Sequence, residues 1–348
     1  MCIAFQRSKI CRHTGSKIQS TLISETLFME LTPEDKAQMK ANFDKCDAAL
    51  LDKPILASIY DGNWRKDLRE KALSSQKHGE VTYGAIGYAA PFFEEIGKCP
   101  RCYQSRLEEG ASVLLPKISK QEREHIVKRM QGLIPISAEQ ELLLARGFRD
   151  EFETSAVKAP QGPENKPRPE FEVHIEGKQI DVEATVLMDS KKVRQLDSIT
   201  RQLSENFWIS CTEVDYVERV KNKIKEKLVK SARDTGLIVV LNKYAKFLHP
   251  VDVINLIRRI VLDPQILHIC DWQNPLAISY VDQYYVQGVW FNLSVAQRIG
   301  ISGQSKERIR TAVKNSFWPR PDGVFLHEGM SDDEHSKKLS KIWSRANR

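Results

Sequence analysis

From Pro167 to Leu187 apolar and polar residues alternate strictly, in two short runs separated by Glu176-Gly177. A period of two is that of a strand with one face toward a core, and a Gly-containing dipeptide between two such runs suits a tight hairpin turn. If Ile175 and Lys178 close that hairpin, Phe171 faces Val182, Val173 faces Ile180, Glu172 faces Asp181 and Glu170 faces Glu183. One register then puts the apolar side chains on one face and the carboxylates on the other, since a slip of one residue would exchange the faces.

The rest of the chain reads mainly as helices, with apolar strands toward the end. Thr32 is placed to cap a helix with Pro33 at its first position, running toward Leu51, and residues 55–80 continue in a helical pattern. Capping boxes at Ser119/Glu122 and Ser137/Gln140 predict two more helices, the second ending at Gly147. Ala156 to Arg168 is a loop rich in Pro, Gly and Lys. Ser190 to Phe207 is predicted as a helix with Val193, Leu196, Ile199 and Leu203 buried, and Trp208 to Thr212 as a short strand. Val217 to Ala232 predicts an amphipathic helix: Val217, Val220, Ile224 and Leu228 inward, Lys221, Lys223, Lys225, Lys227 and Lys230 outward. Gly236 to Asn242 is wholly apolar up to its last residue, the mark of a strand covered on both sides. Val251 to Val261 is helical, and Ile278 to Val281 and Val286 to Leu293 read as closing strands.

With 348 residues, 41% hydrophobic and 28% charged, the chain can bury a sizeable core. No apolar run approaches the roughly 20 residues of a membrane span, and the first residues are too polar for a secretory signal. Seven Cys without a framework fit a reducing compartment, so a cytoplasmic location is expected. The net charge of +7 favours polyanionic partners weakly. The lysine row at Lys221, Lys223, Lys227 and Lys230 can line a nucleic-acid groove, although such a row is more often a solvated face.

The carboxylates carry the chemistry. Directly opposed side chains on one face of a hairpin stand about 5 Å apart, where two carboxylates repel unless a cation lies between them. Mg²⁺ takes one or two protein carboxylates and completes its shell with water and substrate phosphate oxygens. Pro169-Glu170-Phe171, the Gly turn and Ile180-Asp181-Val182-Glu183-Ala184-Thr185 resemble the core of the PD-(D/E)XK nucleases, the restriction-endonuclease-like superfamily. That family pairs Pro-Asp at a strand start with an acidic residue and a Lys two positions apart on the next strand. Glu183 fills the second acidic position, Glu170 replaces the Asp with a longer carboxylate, and Thr185 replaces the Lys and brings no positive charge.

The resemblance covers about residues 137–293. It implies an α/β fold with a central mixed sheet flanked by helices over 135–299, after an N-terminal α-rich region over 1–134 and before a basic appendage over 300–348. It further implies Mg²⁺- or Mn²⁺-dependent hydrolysis of phosphodiester bonds in DNA or RNA. Glu170 and Glu183 would hold the metal, assisted by Glu139 on the preceding helix, with Glu141 the alternative. Thr185 would orient a water, and Lys191, or a neighbour at the start of the next helix, would restore the missing cation. The rival reading is a nuclease-fold module that has lost catalysis and binds nucleic acid or a protein partner. A homo-oligomer or a protein partner would use the N-terminal region, and a defence role follows from the family's usual company.

A separate Cys99-Pro-Arg-Cys102 knuckle could supply half of a tetrahedral Zn²⁺ site. Its complement would have to come from Cys46, His78, Cys11 or His13, and isolated pairs of this kind are mostly turns with two thiols.

Overall fold

The alternating stretch folds in the register its pattern requires. In the computed structural model, which describes residues 30–76, 84–132, 135–160, 169–188, 213–228, 235–244, 249–263, 267 and 275–346, the hairpin pairs Phe171 with Val182, Glu172 with Asp181, Val173 with Ile180 and Ile175 with Lys178. Glu176 and Gly177 both take positive φ, 51° and 71°, the combination whose twist matches a two-residue turn to its strands.

Helices precede the sheet: α1 (Pro33–Ala48), α2 (Pro54–Ile59), α3 (Gly62–Ser74), α4 (Ile86–Glu95), α5 (Tyr103–Leu114), α6 (Lys120–Met130) and α7 (Ile136–Phe152). Thr32 and Asp35 form a capping box on α1, and Ser119 and Glu122 form the predicted one on α6. The expectation for α7 needs correction. Its cap residue is Pro135, with no side-chain hydrogen bond, Ser137 lies inside the first turn, and the helix runs past Gly147 to Phe152.

Gly147 is there for packing rather than as a stop. A Cβ on it would lie 2.0 Å from Ser316 Oγ and 2.3 Å from the Ala312 carbonyl; one on Gly110 of α5 would lie 2.0 Å from the Leu142 carbonyl. Gly147→Ala and Gly110→Ala are each expected to lower unfolding free energy by about 1–3 kcal/mol in denaturant titrations. Gly62→Ala, which meets nothing within 4 Å, should stay within about 0.5 kcal/mol of wild type.

The sheet contains β1 (Val157–Lys158), β2 (Phe171–Ile175), β3 (Lys178–Leu187), β4 (Gly236–Lys243), β5 (Ala277–Asp282) and β6 (Tyr285–Phe291), adjacent in that order. It is mixed: β3, β4 and β5 run parallel, and the pairs at either edge are antiparallel. Parallel strands need crossovers. Helix α8 (Glu213–Leu228) lies on the connection from β3 to β4, and α9 (Pro250–Leu262) on that from β4 to β5. After β6 come α10 (Leu293–Ile299), α11 (Gly303–Ser316) and α12 (Asp332–Ala346).

Both faces of the sheet are covered. On one, Phe171, Val173, Ile180, Val182, Ile238 and Val240 join an apolar cluster that runs from Met39 in α1 through Leu143 and Phe148 in α7 to Phe317. On the other, Leu187, Leu237, Val239 and Leu241 pack under Val220, Ile224 and Leu228 of α8, Ile254 and Ile257 of α9 and Ile342 of α12. The carboxylate face of the hairpin is therefore not a half-solvated surface: Glu172, Asp181 and Glu183 are 1%, 2% and 0% exposed.

Helix α11 packs along α7, and Trp318 and Leu326 bridge to Tyr285 and Gly288 of β6. Among the described residues no helix is long and apolar enough to cross a membrane. The helix expected over 190–207, the strand over 208–212, and Lys191, Lys230, His78, Cys11 and His13 lie outside the described residues.

Candidate active site

Glu170 stands just before β2, held to β3 by its amide, which donates to the Val182 carbonyl at 3.2 Å. Glu183 stands in the middle of β3 and points to the α8 side. The carboxylates of both converge on one ammonium: Lys227 Nζ is 3.6 Å from Glu170 Oε1 and 2.8 Å from Glu183 Oε2. Side-chain exposures of 18% for Glu170, 0% for Glu183 and 10% for Lys227 place the group out of bulk water, where charges interact far more strongly than at the surface.

Lys227 was expected on the outer face of α8. It lies seven residues after Val220, three after Ile224 and beside Leu228, at the margin of the buried stripe. Its aliphatic stem can lie along the apolar face while its ammonium reaches the carboxylates. Of the row it was grouped with, Lys221 pairs with Glu218 at 3.6 Å and Lys223 with Glu226 at 2.6 Å. Those are pairs within one helix, of small energetic weight.

A third carboxylate, Glu141, lies near enough to Glu170 and Glu183 to act on them electrostatically. The guanidinium of Arg129 on α6 grips it at both oxygens, at 2.5 and 2.7 Å, with the Glu141 side chain only 3% exposed. Burial pushes the Glu141 carboxyl up, Glu170 and Glu183 push it further, and Arg129 pulls it down. Arg129, penalised first by its own burial, is held above the usual guanidinium range by Glu141, Glu170 and Glu183. The net shift of Glu141 is upward, to about 8; the two parallel N–H···O bonds from Arg129 are the geometry that favours the ionised form against that burial.

Glu139 is not part of the group. Residues two apart on a helix point roughly 200° away from each other, and Glu139 faces α4 and α5. It accepts hydrogen bonds from the Gly87 amide at 2.7 Å and the Tyr103 hydroxyl at 2.8 Å. Burial raises its carboxyl from the usual 4.5 up to about 7. A carboxyl raised in the folded state contributes its stability fully below the unfolded value, and loses it as pH rises through the folded one. Glu139 is therefore expected to lower unfolding free energy by on the order of 3 kcal/mol as pH rises from about 4.5 to about 7. Glu139→Gln should flatten that part of the profile in urea titrations across pH.

Thr185 follows Glu183 by two residues on the same face of β3, is 7% exposed and lies opposite Leu241 in the β3–β4 register. Next along the hairpin, Glu172 and Asp181 face each other. Thr235 donates to Asp181 at 3.1 Å, Gln179 donates to it at 3.3 Å, and His174 Nε2 lies 3.9 Å from Glu172.

Among the described residues no three His, Cys, Asp or Glu side chains stand together as a ready-made metal cage. The fit to Mg²⁺ or Mn²⁺ rests on a smaller set. Glu170 and Glu183 offer hard oxygen donors on one side, and these ions need only one or two protein carboxylates. Cys99 is buried, with its thiol pushed up by that burial and by Glu94 and Glu139, whereas Cys102 is exposed at the start of α5. The two sulfurs of the knuckle therefore have different surroundings.

No protein family, curated protein or solved structure matches this chain.

Proposed function

We propose that this chain is a divalent-metal-dependent nuclease, a divergent PD-(D/E)XK member whose missing strand lysine is replaced by Lys227 from a helix. The observation that carries the reading is the position of Lys227 Nζ, 2.8 Å from Glu183 and 3.6 Å from Glu170. What phosphodiester hydrolysis requires of that lysine is a positive charge beside the attacked phosphate, whichever backbone position it comes from.

Glu170 and Glu183 would hold Mg²⁺ or Mn²⁺, with Glu141 beside them. The metal, when bound, supplies Lewis acidity and an activated water. The chain's own groups do the rest. Lys227 offers three N–H donors to a non-bridging phosphate oxygen as negative charge develops there. Arg129 fixes Glu141 in orientation and favours its ionised form. Thr185 can hydrogen-bond a water two residues along the same face. With all three carboxylates ionised, Glu141, Glu170 and Glu183 against Lys227 and Arg129 leave one net negative charge, which a divalent ion turns into one positive charge. That balance suits a phosphodiester, which carries a single negative charge.

One observation favours the rival reading, a nuclease-fold module that binds nucleic acid without cutting it. Lys227 already offsets one of the two carboxylate charges it bridges, so the site is partly compensated as a buried ion cluster. Thr185→Lys separates the two readings, with cleavage and binding measured on the same DNA and RNA oligonucleotides in Mg²⁺. If Lys227 already serves, the second lysine crowds the site and cleavage stays level or falls. A gain of cleavage from an inactive wild type would establish the module reading instead.

A further inference from the structure

Beyond the cluster, the C-terminal end of β3 and the middle and later turns of α8 line a half-open cavity of about 160 Å³. Residues 219, 220, 222, 223 and 226 line it from the helix, a spacing that makes one continuous helix face. Val186, Leu187 and Met188 line it from the strand. The lining is largely apolar at its base, where Leu187 and Val220 are 6% and 2% exposed. Polar groups stand on the helix side: Asn222 is exposed, Lys223 is partly so, and Arg219 donates to the Met188 carbonyl at 2.5 Å.

Position relative to the cluster gives this cavity its meaning. Lys223 precedes Lys227 by one turn of α8, about 6 Å along the axis. Leu187 follows Glu183 by four residues on the same face of β3, about 13 Å. The helix and the strand thus lead from the carboxylates to the cavity together. A phosphate held at Lys227 would have its flanking sugar and base within that reach.

The volume limits the occupant. At about 160 Å³ it is smaller than the roughly 300–1,000 Å³ of a site for a whole drug-sized ligand and several times the roughly 30 Å³ share of one water. It has room for one planar ring system. Apolar walls with an amide at the edge are what holds an unstacked base elsewhere in protein chemistry, by contact with its faces and hydrogen bonds to its edge. An asparagine amide can pair with a base through both its donor and its acceptor.

The geometry points to a nucleobase subsite between β3 and α8, and hence to a substrate with an unpaired nucleotide next to the cleaved phosphate: single-stranded nucleic acid or a strand end, rather than continuous duplex. This assignment rests on the phosphodiesterase reading for its orientation. Its test is kept separate from that reading by measuring binding in EDTA, where no hydrolysis occurs.

The experiment uses the full chain and fluorescent single-stranded oligonucleotides of equal length, in which one nucleotide at a time is abasic. At one position the abasic oligonucleotide should bind about tenfold more weakly than its parent. Asn222→Trp, which places an indole over the cavity from the exposed helix side, should remove that difference without changing the thermal melt. Asn222→Ala, at an exposed site, should reduce the difference and alter the preference among the bases. Equal affinity for every abasic oligonucleotide, a discrimination that survives Asn222→Trp, or no binding to single strands would overturn the subsite. Base discrimination in a protein that cleaves nothing in Mg²⁺ would leave the subsite standing and remove the nuclease reading; cleavage without discrimination would do the reverse.

Discussion

Lys227→Met is expected to lower Mg²⁺-dependent cleavage by at least about a hundredfold, the usual cost of removing one donor aimed at developing charge. The cause is local. Lys227 brings the only cation within 4 Å of Glu170 and Glu183 among the ion pairs of the described residues. The same substitution leaves Glu183 buried without the ammonium, and breaking such a pair costs about 3–5 kcal/mol. A loss of activity could therefore come from unfolding alone, and a second readout is needed. Millimolar Mg²⁺ should raise the melting temperature of Lys227→Met more than that of wild type, because the Lys227 ammonium no longer competes for the two carboxylates. Wild-type cleavage by Lys227→Met would remove the lysine from the mechanism.

The second large effect separates Glu141 from Glu139. Glu141→Gln strips one carboxylate from the cluster and leaves Arg129 without its charged partner. Losses of ten- to a hundredfold in metal affinity or activity are typical when a group supporting a metal site is changed, and a loss in that range or larger is expected here. Glu139→Gln should cleave like wild type, since its hydrogen bonds go to Gly87 and Tyr103 on the helical side. Both variants remove one carboxylate from the same helix, so general damage to α7 would affect them alike. Titrating Mg²⁺ while following hydrolysis of one oligonucleotide gives both comparisons.

What could be read from the sequence follows the range of the interactions involved. The hairpin register was legible because alternation, a Gly turn and opposed partners all lie within 21 residues and only one pairing satisfies them. The α/β architecture with a mixed sheet was legible from the apolar strand Gly236 to Asn242 and the helices between strands. The burial of the carboxylate face was not, because nothing within the hairpin tells that α8 and α9 cover it. Lys227 was grouped with Lys221, Lys223 and Lys230 by charge, whereas its ammonium belongs to the buried carboxylates and that of Lys223 to a surface pair. The signal that sets Lys227 apart is its spacing from Val220 and Ile224, which puts a lysine at the edge of an apolar stripe. Glu139 was preferred to Glu141 by counting back from a helix end assumed at Gly147, and α7 continues to Phe152. Arg129 carried no local signal at all, since its partner is twelve residues on, in another helix.

Hydrolysis by wild type and Glu183→Ala side by side tests most directly whether Glu170, Glu183 and Lys227 form a metal-dependent phosphodiesterase site. Purified protein is incubated with DNA and RNA oligonucleotides, single-stranded and duplex, in Mg²⁺, Mn²⁺ or EDTA. Wild type should cut in either metal and not in EDTA, and Glu183→Ala, folded by its melting curve, should cut in none. Cleavage by Glu183→Ala at the wild-type rate, or wild-type cleavage that continues in EDTA, would contradict the site described.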